Sequence, residues 1–150
     1  MKAVRIISLI ARVALMVAMV LGLLFWIAQI SFISTFMSGV AQVIIGIHPW
    51  IGLTGALFLL VLGVVAIFTR GIRLPGVGGV VYAAIMPAFG LTQSLILMGN
   101  LHWLIQVAHL LVGVGAMYLA RGIERRYLRL RVSGSEGATI SGATAAQAVR

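Results

Sequence analysis

The stretch FTRGIRLPG (Phe68–Gly76) carries the only two charged residues, Arg70 and Arg73, between Val13 and Ala120. It therefore cuts a long apolar chain into two charge-free halves, Val13 to Thr69 and Leu74 to Ala120. A helix rises 1.5 Å per residue and crosses the bilayer core in about 20 residues. Each half is too long for one crossing and long enough for two. The halves read as two helical hairpins, and the chain as an all-α membrane protein of four spans.

Composition agrees with this reading: of 150 residues, 62% are hydrophobic and 9% charged, and the mean hydropathy is +1.18. The cations are gathered at Lys2, Arg5 and Arg12, at Arg70 and Arg73, and at Arg121, Arg125, Arg126, Arg129, Arg131 and Arg150. With four spans all three clusters fall on one side, which the positive-inside rule makes the cytoplasm. The expected topology is an up-down-up-down bundle in the cytoplasmic (plasma) membrane, with both termini inside. The net charge of +9 is then the inner rim of a membrane protein facing lipid headgroups, and nucleic-acid binding is not expected.

Along the chain, the first span is placed at Val13–Ile30 and the turn after it at SFISTFMS (Ser31–Ser38). The basic start resembles a signal peptide, but the apolar run is too long and lacks an A-x-A exit, so it is read as a retained span. The second span runs from Gly39 to Thr69 and contains Pro49, which either lies within one continuous helix or opens a shorter one. The third span continues past Pro87 to Leu97, MGNLHW (Met98–Trp103) turns outside, and the fourth span runs to Ala120. Trp50 and Trp103 suit the interface. The transmembrane domain is placed at 1–132. The small, polar segment 133–150 is expected to be a disordered cytoplasmic tail.

Superposing His48 on His109, an offset of 61, also aligns Met37 with Met98 and Gly52 with Gly113. Both helices carry histidine, three residues, glycine, in HPWIG (His48–Gly52) and HLLVG (His109–Gly113). Gln29 and Gln93 correspond if the first outer loop is three residues longer. If the two hairpins are related by a twofold axis along the membrane normal, the second and fourth spans lie on a diagonal. The two imidazoles then face each other across the bundle. Ligands on opposite sides of one iron need nitrogens about 4 Å apart, twice a metal–imidazole bond of about 2 Å. This is the layout of a bis-histidine haem, and Gly52 and Gly113, one turn from their histidines, would leave room for a flat ring.

With these residues the four-span core, 13–120, resembles the transmembrane b-type cytochromes, which hold haem between histidines on two helices. The resemblance implies one haem b ligated by His48 and His109. It departs from the two-haem members, whose ligand helices each carry two histidines well separated in depth, since the second span has only His48. Depth below the inner arginines favours a different second ligand, His102, because His109 lies much nearer Arg121 than His48 does to Arg70. Gln29, Gln93 and Gln106 read as interhelical hydrogen-bond partners; beside a haem such a glutamine could instead hold a propionate or a quinone carbonyl.

Other readings of the histidines are a structural or quinone-facing pair, another metal, or a proton relay. The function expected is an electron-transfer subunit or anchor within a larger redox complex, exchanging electrons with partner subunits or the quinone pool. The alternatives are a cofactor-free structural subunit and a small-solute carrier or pore. An autonomous enzyme is not expected. Cysteine is absent, which removes disulfides and thiolate chemistry. The carboxylates, Glu124 and Glu136, both belong to the cytoplasmic end, so no acid–base pair forms inside the spans.

Overall fold

A computed structural model describes residues 2–28, 34–97 and 99–148. Lipid offers no hydrogen bonds to a backbone, so an apolar chain in a bilayer must satisfy its peptide groups within helices or closed barrels. The described chain is helical throughout: α1 (Lys2–Ala28), α2 (Ser34–Ile67), α3 (Arg73–Thr92), a short 3-10 turn (Gln93–Leu95) and α4 (His102–Ala148). All four α-helices are long and apolar enough to cross a membrane. Large apolar side chains such as Leu9, Val20, Leu57, Val81 and Leu111 point outward, as lipid-facing residues would.

Several helix ends differ from the sequence reading. α1 begins at Lys2, ahead of the span expected from Val13, and carries Arg12, whose guanidinium meets Glu124 of α4 at 3.0 Å. α2 begins at Ser34, within the expected turn, where Ser34–Ser38 holds no glycine or proline to stop a helix. It then runs unbroken through Pro49, the continuous alternative, although the proline nitrogen has no hydrogen to give the Ile45 carbonyl. α3 stops at Thr92, short of Leu97. The 3-10 turn and Leu97, whose φ is +48°, then redirect the chain. α4 continues past Val132 to Ala148, into the segment whose composition marks it as a tail. Gln29, the first residues of the expected outer turn (31–33) and Met98 lie outside the described residues.

α2 is packed between α1 and α3, and α4 packs on both α1 and α3 and touches α2 across the middle. Among the described residues α1 and α3 do not meet, so α2 and α4 form the close diagonal. Small residues set the spacing, as expected where helices associate without a hydrophobic drive. A Cβ added at Gly55 would sit 2.7 Å from Leu15 Cγ, and one at Gly63 would sit 2.8 Å from the Val80 nitrogen and 2.9 Å from the Gly76 oxygen. Neither position has room for any side chain. Beneath the α2–α3 contact lies the driest part of the core, with Leu59, Leu62, Ile72 and Ile123 fully buried. Gly71, with φ +93°, makes the turn between Arg70 and Ile72 that closes this end.

A polar clasp fastens α1 to α4. Ser8, fully buried, donates from Oγ to Glu124 Oε2 at 2.8 Å, and the same oxygen accepts from Arg12. Arg12 Nε also donates to the Ser8 carbonyl at 3.2 Å. Removing one partner strands the other charge, whereas removing both does not.

The clasp and the α1–α2 contact can each be tested. Glu124→Gln should destabilise the bundle by about 1–3 kcal/mol in thermal unfolding in detergent. Adding Arg12→Gln should recover part of that loss, and a Glu124→Gln protein as stable as the parent would contradict the clasp. A Cβ at Gly52 lies 3.9 Å from Ala18 Cβ, within the usual disulfide span. Ala18→Cys/Gly52→Cys, in a chain with no other cysteine, should therefore oxidise to an intramolecular disulfide. Ala18→Cys/Gly113→Cys should not.

Candidate functional site: a histidine pair on the α2–α4 diagonal

His48 of α2 and His109 of α4 meet, with ring centroids 6.1 Å apart and planes inclined by 56°. Both are half-buried. His48 lies one residue before Pro49, and its Nδ1 is 2.9 Å from the Ala18 carbonyl of α1. A carbonyl only accepts, so Nδ1 carries the hydrogen and donates it, leaving Nε2 with a free lone pair in the neutral ring. Metal-ligating histidines are commonly oriented by such a bond on the other ring nitrogen.

The ring of His48 lies over a gap in α1. A Cβ at Gly22 would come within 3.2 Å of His48 Cε1, tight enough to push the imidazole away. The second hairpin repeats the arrangement: a Cβ at Gly90 of α3 would come within 3.0 Å of His109 Cε1. Each imidazole is thus seated on a glycine of the helix that precedes it. His109 also lies against the Phe89 ring, with centroids 5.9 Å apart. Its Nδ1 is buried and has no hydrogen-bond partner among the described residues. Such an atom is costly in an apolar bundle unless another group meets it.

The remaining candidates are distributed around this pair. Gly52 sits one turn from His48 and packs toward Ala18, while Gly113 has open space where its Cβ would be. Gln106 is half-buried on α4, one turn before His109. His102 opens α4 and its Nδ1 lies 3.4 Å from the Ile96 carbonyl of the preceding connection, apart from the His48–His109 pair. Gly22 and Gly90 were not singled out by sequence reasoning. Gly22 carried a usable signal, as the lone glycine of α1; Gly90 shares α3 with three other glycines and did not stand out.

The donor set can be tested against a metal. No group of three or more His, Cys, Asp or Glu occurs among the described residues, so the pair has no third protein ligand of these types. Structural zinc takes four protein ligands, and two imidazoles alone do not supply them. A macrocycle supplies four nitrogens to its own iron and asks the protein for two axial ligands. The two imidazoles are side chains of the type that would hold such a group, with the His48 ring oriented through its Nδ1.

Comparison of the chain with protein-family models, with curated proteins and with solved structures finds no match in any of the three.

Proposed function

We propose that this protein is a b-type cytochrome subunit that holds one haem between His48 and His109. It spans the cytoplasmic membrane as an up-down-up-down bundle of two related hairpins, with both termini on the cytoplasmic side. The observation that carries the reading is the pairing itself: two imidazoles on the diagonal helices, 6.1 Å apart, each seated on a glycine. The inward orientation rests on the three cationic clusters and the positive-inside rule. Trp50 and Trp103, both exposed, suit the opposite, outer rim.

Bound there, a haem would supply a one-electron carrier, and His48 and His109 would hold it. The Ala18 carbonyl orients the His48 ring by accepting from its Nδ1–H. Gly22 and Gly90 fix how deeply each imidazole sits, and Phe89 flanks His109. Gln106, one turn before His109, would be available to a propionate or a quinone carbonyl. Redox partners are subunits of a larger complex or the quinone pool.

One observation also favours a cofactor-free structural subunit: the His48–Ala18 bond fastens α1 to α2 without any ligand. A reduced-minus-oxidised visible spectrum of the purified protein, expressed with ample haem, separates the two. The haem reading expects Soret and alpha bands that His48→Ala and His109→Ala each abolish or shift and that His102→Ala leaves in place. Gly90→Leu, which drives a side chain into the His109 ring, should lower haem retention while the helical circular dichroism persists. A colourless preparation would overturn the haem reading and leave the histidines as helix fasteners.

A further inference from the structure

A second feature lies at the other end of α4, where the apolar span meets the cationic rim. Two grooves adjoin there and share Tyr118 and Gly122. One, of about 430 Å³, is lined by these two with Arg121 and Arg125. The other, of about 300 Å³, brings Arg126 together with an apolar wall that includes Leu74 and Pro75 from the start of α3. Nothing lies within 4 Å of where a Cβ of Gly122 would be, so the shared floor is open. Tyr118 is 75% exposed and Leu74 is 82% exposed, an unusual pair of surfaces unless lipid or a ligand covers them.

Among the described side chains, no carboxylate is paired with Arg121, Arg125 or Arg126. Of the described carboxylates, Glu124 is engaged by Arg12 and Ser8 on the α1 side. Arg131, by contrast, is committed to Tyr127, to whose hydroxyl it donates at 3.3 Å and over whose ring it lies. The three arginines Arg121, Arg125 and Arg126 therefore present guanidinium groups in two adjacent recesses beside an apolar wall. Guanidinium forks match phosphate oxygens, a tyrosine hydroxyl adds a donor, and the apolar wall suits an acyl chain. A soluble phosphate compound would use the arginines and leave the wall uncovered.

We propose that this double groove binds one anionic phospholipid carrying two phosphates, one met by Arg121 and Arg125 and the other by Arg126, with acyl chains against Leu74 and Pro75. The site is independent of the histidine pair. A lipid held here also bridges the start of α3 to α4, two helices that meet along the bundle edge.

Native mass spectrometry of the full chain, released from micelles titrated with diphosphatidylglycerol, phosphatidylglycerol or pyrophosphate, tests it. One diphosphatidylglycerol should be retained per chain, about fivefold or more in preference to phosphatidylglycerol, with that preference lowered about fivefold in Arg126→Gln. Arg121→Gln/Arg125→Gln should weaken both lipids, and Arg131→Gln should change neither. Gly122→Leu, which fills the shared floor and keeps every charge, should displace the lipid too. Equal retention of both lipids, displacement by pyrophosphate, or arginine variants that behave like Arg131→Gln would each overturn the proposal.

Discussion

Close approach of backbones at glycine is the constraint on which this bundle depends. Helices solvated by lipid gain nothing by hiding apolar side chains from one another, so association rests on packing at short range and on a few polar contacts. Gly55 against Leu15 sets α1 on α2, and Gly63 against Gly76 and Val80 sets α3 on α2. With both neighbours drawn onto α2, α4 closes the bundle against α1 and α3 and reaches α2 on the diagonal. His109 of α4 meets His48 of α2 on that diagonal.

The two hairpins are alike at the site and unlike in its hydrogen bonding. Each presents an imidazole lying over a glycine, Gly22 for His48 and Gly90 for His109. His48 is anchored by the Ala18 carbonyl, whereas Nδ1 of His109 has no partner among the described residues. Two imidazoles held so differently are not equivalent: one is fixed by a hydrogen bond, and the other is held mainly by packing against Gly90 and Phe89. The opposite end of the bundle is closed by Ser8, Arg12 and Glu124 and by the dry cluster around Leu62 and Ile123.

The number of helices was legible because charge is expensive in lipid, so Arg70 and Arg73 had to mark a boundary. The nearness of His48 and His109 was legible from a short shared pattern, histidine, three residues, glycine, on both helices. Gly22 and Gly90 were hidden because their roles depend on the register between neighbouring helices. An almost uniformly apolar sequence carries no periodicity to set that register. The Arg12–Glu124 pair was hidden for a related reason, since it joins opposite ends of the chain with no local signature. Pro49 was ambiguous because the same residue is tolerated within a membrane helix or at its start.

The central claim is that His48 and His109 share one iron from opposite sides. Electron paramagnetic resonance of the oxidised, purified protein addresses it most directly, because two axial imidazoles make ferric haem low-spin. The account predicts a low-spin ferric signal from one haem per chain, converted to high-spin in His109→Ala by loss of an axial ligand. A high-spin signal in the parent protein, or a low-spin signal unchanged by His109→Ala, would contradict it.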